Sequence, residues 1–302
     1  MGNKSSYLRR AFLWLPGLLM LSSCGRLGAI PAHPPPTPES WLAIPPYVRL
    51  ALDSREIVLV QPSSSILVYL LGVVAIVAGL SFWPSRDSHR SRAWWAVALL
   101  LWGLGALLAG TSYQAFSYEI KCAGREACAW TSWWEVGYLV LSAASVDAMV
   151  LAGAYSSAGG KLRAAMSAYA QLNAAAYSLV VLVGALIPIK FLISFELLLL
   201  AAAPGVLLLF VLSARRAYRQ RDRLHLVLAG AWLWLGITLG AYFLYLVSGL
   251  TEVLWARGAW FSENDVLHIG LILWMAYLGL IVRKQVVDVP GGARAASPAA
   301  TR

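Results

Sequence analysis

Apolar residues fall into seven long runs, approximately Ser65–Trp83, Ala93–Tyr118, Trp133–Tyr155, Leu162–Ile187, Phe191–Leu212, Leu224–Ser248 and Asn264–Val282, divided by short polar connections. Each run supplies the roughly 20 apolar residues that a helix needs to cross a hydrocarbon core of about 30 Å. The pattern predicts an all-α polytopic membrane protein with seven transmembrane helices. Ahead of the first run, residues 41–60 are mildly amphipathic and are expected to lie near the membrane surface.

Cations set the expected orientation, because short cytoplasmic loops collect Lys and Arg. Arg86, Arg90 and Arg92 follow the first run, Lys161 and Arg163 the third, Arg215, Arg216, Arg219, Arg221 and Arg223 the fifth, and Arg283 and Lys284 the seventh. The other connections hold Lys121, Arg125, Lys190 and Arg257, and gather Trp130, Trp133, Trp134, Trp255 and Trp260 at the depth of an interface. The N-terminus is expected outside and the C-terminus in the cytoplasm.

The first residues, with Lys4, Arg9 and Arg10 ahead of an apolar stretch from Ala11 to Leu21, have the layout of an export signal. Leu21-Ser-Ser-Cys24 resembles the lipobox of bacterial lipoproteins, which implies cleavage before Cys24 and lipidation of its sulfur; an uncleaved signal anchor is the alternative. Pro31 to Pro38 suits an extended tether. The expected organisation is a signal over 1–24, an exported tether and surface segment over 25–64, a membrane domain over 65–283 and a basic tail over 284–302, in a bacterial-type inner membrane.

Composition agrees. With 60% hydrophobic and 13% charged residues, the chain has more apolar surface than a soluble domain of 302 residues can bury. The net charge of +10 lies in clusters between apolar runs rather than on one face, which argues against a nucleic-acid partner. Membrane lipid is the expected partner. Gly105-x3-Ala109 and Gly236-x3-Gly240 allow close helix contact, within the chain or in a homo-oligomer.

Cys122 and Cys128 share the connection after the second run, on the expected oxidising side, at a spacing that closes a small disulfide loop if the chain turns at Ala123-Gly124. Two unpaired thiols are the alternative.

Polar side chains inside a membrane need a partner or a function. At 3.6 residues per turn, Ser112, Phe116 and Glu119 share a face of the second helix. Glu135 opens the third, Glu196 the fifth, and Asn264-Asp265-x2-His268 the seventh, while Tyr242 and Tyr245 end the sixth. If these ends converge, they surround an outward cavity in which Glu119, Glu196, Tyr242, Tyr245 and Asn264 contribute to binding. Ser132-x2-Glu135 and Ser262-x2-Asp265 also match capping boxes, so each acid has a local role as an alternative to a site role. His268 either serves the site or pairs with a neighbouring tyrosine. Asp147 lies deeper, where a hydrogen bond to Tyr169 or Asn173 competes with a proton- or ion-path role. Pro204-Gly205 predicts a kink in the fifth helix. No lysine lies within the seventh helix to carry retinal, and phosphate-loop, Cys-x2-Cys and Gly-x-Ser-x-Gly motifs are absent.

Seven helices with polar motifs on the second, third and seventh resemble the CREST superfamily of alkaline ceramidases, progestin/adipoQ receptors and hemolysin III proteins. Its Ser-x3-His would fall on Ser112-x3-Phe116, its acid on Glu135 and its His-x3-His on Asn264-x3-His268. The resemblance implies a zinc-dependent lipid amide hydrolase, yet Phe116 and Asn264 stand where histidine ligands belong. A zinc or other divalent metal would have to use His268 with Glu119, Asp265 or Glu135. In the hydrolase reading Glu135 or Asp265 activates a water, His268 acts as acid or base and Ser112 polarises the carbonyl. A non-catalytic receptor or scaffold that binds a lipid or small ligand is the alternative, and a transporter the third.

Overall fold

The computed structural model describes residues 26–30, 34–52, 55–85 and 89–289. Cys24, the signal and the end of the tail, from residue 290, lie outside these. The seven predicted runs form seven helices long and apolar enough to span a membrane: α1 Pro62–Phe82, α2 Arg90–Ala109, α3 Trp133–Ser157, α4 Gly160–Leu186, α5 Phe195–Gln220, α6 Arg223–Ser248 and α7 Glu263–Tyr277. Two extend through a wide π-helical turn, α2 over Gly110–Ala115 and α7 over Leu278–Val282. The starts are locally encoded. Pro62 opens α1, where a missing N–H costs nothing, while Ser194 and Asp222 accept the early amides of Leu197 and Leu224. The α5 helix runs on through Pro204.

Helices α1, α2, α3, α5, α6 and α7 pack in that order into a ring that closes from α7 to α1, while α4 lies outside it against α3. Lipid tails are as apolar as the core, so close packing rather than water exclusion holds such a ring together. Glycines bring α1 and α2 together. A Cβ on Gly103 would lie 2.8 Å from the Gly72 carbonyl oxygen, and one on Gly79 would lie 3.1 Å from that of Ala96. Of the two small-residue pairs read from sequence, Gly105 meets α3 at Ser142, whereas Gly236 and Gly240 face open space. In the interior, Phe82, Trp95, Trp232, Trp274 and Trp102 form a column of rings with successive centroids 5.4–6.2 Å apart. The Trp274 indole N–H is satisfied by the Ala231 carbonyl, at 2.8 Å.

The two ends of the bundle differ. At one, residues 47–60 form an antiparallel hairpin of β1 (Tyr47–Leu52) and β2 (Arg55–Val60), in which Tyr47 pairs with Val60 and Leu52 with Arg55. This end also holds Cys122 and Cys128, which are disulfide-bonded, and a short helix over Pro38–Leu42. The described part of the tether is packed rather than free: Leu27 and Ile30 are buried against α3, α4 and α5, and the Cys128 amide donates to the Pro36 carbonyl. The other end carries the arginine clusters. There residues 286–289 fold back, with the Asp288 carboxylate accepting from the amides of Arg90 and Ser91 at 2.8 and 2.9 Å. Arg92 and Arg163 bind the carbonyls of Val286 and Val289. Burial raises the Asp288 pKa, but the Ser91 and Arg90 hydrogen bonds and nearby His89 outweigh it and hold the group below its ordinary value.

Candidate functional site

Buried polar groups concentrate at the hairpin end, in two networks. The first joins α2, α3 and the loop between them. Glu135, in the first turn of α3, accepts from Lys121 Nζ at 2.7 Å and Ser112 Oγ at 2.8 Å through one oxygen, and from Thr131 Oγ1 at 2.9 Å through the other. The Ser112 and Ser132 hydroxyls are 2.6 Å apart. Side-chain exposure is 5% for Lys121 and 3% for Glu135, so this ion pair is cut off from water. The rings of Trp41, from the Pro38–Leu42 helix, and Tyr113 lie 5.1 and 5.2 Å from the ammonium.

The second network ties α7 to α1. Asp265, fully buried, accepts from Ser63 and Ser64 at 3.3 and 2.9 Å and from the Ser262 amide at 2.6 Å. The last bond is the acid half of the predicted capping box. One turn further in, His268 is buried and its Nδ1 has no partner; no bond to a tyrosine forms. Gln114 Oε1, in the π-helical turn of α2, is likewise buried and unpartnered. Buried polar atoms are normally paired, and these are two of the eleven among the described residues that are not.

Three sequence expectations need correction. The Ser132–Glu135 capping box does not form: Ser132 makes no cap bond with its side chain, and Glu135 reaches Lys121 instead. Ser112 and Glu119 do not serve one face, because the wide turn at Gly110–Ala115 and the break at Phe116 shift the helical register. Glu119 accepts from the Val58 amide of β2 at 3.0 Å. Nor do the acids surround one cavity. Glu196 is exposed, Asn264 contacts Glu263 at 3.4 Å, Tyr242 packs on Phe243, and Tyr245 packs on Phe261 with its hydroxyl unpartnered. Among the described residues no three His, Cys, Asp or Glu side chains come together as a metal site, and His268, Glu119 and Asp265 are not such a group.

Deeper in the bundle, the Asn173 amide donates to both Asp147 oxygens, at 3.0 and 3.1 Å, and to the Ala201 carbonyl at 3.3 Å, joining α3, α4 and α5. Sequence reasoning missed Lys121, which reads as an ordinary loop cation, and Gln114. The one signal for Lys121 was its place beside Cys122, whose pairing folds the loop back.

The fold and these networks define the chain as an all-α, multi-pass membrane protein. Comparison with family models, curated proteins and solved structures gave no match.

Proposed function

We propose that the protein is a non-catalytic receptor or scaffold that binds the polar head of a lipid or small amphiphile at its hairpin end. One observation carries this reading: the carboxylates are satisfied by protein donors, while His268 Nδ1 and Gln114 Oε1 are buried and unfilled. A general base needs a free lone pair aimed at water. Glu135 accepts three hydrogen bonds, from Lys121, Ser112 and Thr131, and Asp265 three, from two serines and an amide, so most of the lone pairs of each acid are already engaged. A ligand that donates to Gln114 Oε1, and that donates to or accepts from His268 Nδ1 according to the ring's tautomer, would fill both positions. The distribution of cations supports a hairpin end on the exported side of a bacterial-type plasma membrane and an arginine end in the cytoplasm.

The ceramidase-like hydrolase is the competing reading, favoured by the direct Ser112–Glu135 hydrogen bond, which joins two of the three positions on which the CREST resemblance rests. Native mass spectrometry of the protein in nanodiscs, with a lipid-amide turnover assay beside it, separates the two. Binding expects a retained amphiphile whose occupancy falls about tenfold in His268→Ala, with no turnover. Turnover that is abolished by Glu135→Gln would replace this reading with the hydrolase.

A further inference from the structure

At the arginine end, a cavity of about 460 Å³ lies between the ends of α3, α5, α6 and α7. Arg216 of α5, Arg223 of α6 and Lys284 after α7 line it, with Ser156 of α3. None of these three cations makes a hydrogen bond or ion pair with another described residue. Two carboxylates also line the cavity, but both are engaged elsewhere. Asp222 accepts from the Leu224 amide at 3.0 Å and sits 2.7 Å from His225 Nδ1, while Asp288 is held by the amides of Arg90 and Ser91. His225 in turn points its Nε2 at Ser157, at 3.1 Å, which fixes the ring and keeps Asp222 turned to it.

The positive end of α6, a 26-residue helix, opens at the same place and adds to the potential. The three cations outnumber the two carboxylates, whose oxygens are already turned to other donors, so the concavity keeps a net positive charge that an anion would offset. A phosphate offers the acceptor oxygens that an Arg fork and a Lys ammonium match. Basic recesses between transmembrane helices suit anionic headgroups. We infer that this cavity is a phosphate-binding site, occupied by an anionic phospholipid headgroup or by a soluble phosphate compound. This site is independent of the hairpin-end reading, so either can fail alone.

The test uses the full chain in nanodiscs of phosphatidylcholine, with or without phosphatidylglycerol, read by native mass spectrometry, and a pyrophosphate titration in neutral detergent, read by thermal shift. Selective retention of phosphatidylglycerol supports the lipid source, and saturable stabilisation by pyrophosphate the soluble one. Arg216→Gln, Arg223→Gln and Lys284→Gln together should weaken binding by at least about tenfold. Arg215→Gln, Arg219→Gln and Arg221→Gln remove the same charge from exposed positions off the cavity and should change it by less than about twofold. If the first triple variant fails to fold, Arg223→Gln alone, at an exposed rim position, should still cost about fivefold. Equal losses in the two triple variants would reduce the effect to diffuse surface charge and overturn the site. Absence of binding to either probe would also overturn it.

Discussion

Removing Lys121 should be among the most damaging single changes in the bundle. Its ammonium is the only charged partner of Glu135 among the described residues, and both side chains are almost wholly buried. In Lys121→Met the carboxylate keeps only the Ser112 and Thr131 hydroxyls, too little to offset desolvation of a full charge. Breaking a buried pair from one side costs about 3–5 kcal/mol. Glu135→Gln should cost less, about 2–3 kcal/mol, because the amide oxygen still accepts and the stranded ammonium keeps the Trp41 and Tyr113 ring faces. The double variant Lys121→Met/Glu135→Gln removes both charges and should lose well less than the sum of the single losses. A coupling energy of about 2–3 kcal/mol is expected. Reversible unfolding in mixed micelles, monitored by tryptophan fluorescence, measures all four corners of the cycle. Additivity within about 0.5 kcal/mol would mean that the two charges do not depend on each other and would refute the argument.

Other predictions follow from the same contacts. Asp265→Asn should loosen α7 from α1 and cost about 2–4 kcal/mol in the same unfolding assay, since serine donors and an amide lose a charged acceptor. Gly270→Ala should destabilise, because its Cβ would lie 2.4 Å from Thr238 Cγ2; Thr238→Ser, which removes that methyl, should recover part of the loss. Cys122→Ser/Cys128→Ser should cost about 2 kcal/mol by freeing a short loop, and alkylation of the unsubstituted protein without reduction should leave Cys122 and Cys128 unmodified. The Asp288 pKa is lowered on folding, so its contribution is present above the unfolded value and is lost as pH falls through the folded one. Acidification should therefore release residues 286–289, read as lower protection factors at Arg90 and Ser91 relative to the intrinsic exchange rate at each pH, and Asp288→Asn should show that lower protection already at neutral pH.

The spans were legible because crossing a hydrocarbon core imposes a length and an apolar composition that local sequence must meet. The paired cysteines were legible for a related reason, since a short loop leaves few arrangements. Partner choice was not. Glu135 and Asp265 both stand three residues after a serine, yet Asp265 bonds the Ser262 amide and Glu135 turns to Lys121. The pattern is the same, and the difference is which neighbour each faces: the α1 serines in one case, a loop folded back beside α3 in the other.

The sequence by itself determined the membrane class, the seven helices and the concentration of polar groups toward one end, because the bilayer acts on each segment separately. Tertiary structure decided which of those groups are spent and which remain open. A one-residue change of register at a π-helical turn moves a side chain by about 100° around the axis, so the opposing aims of Ser112 and Glu119 could be seen only after packing. The arginine-end cavity belongs with them, since it arises from segments distant in sequence that meet only in the closed ring.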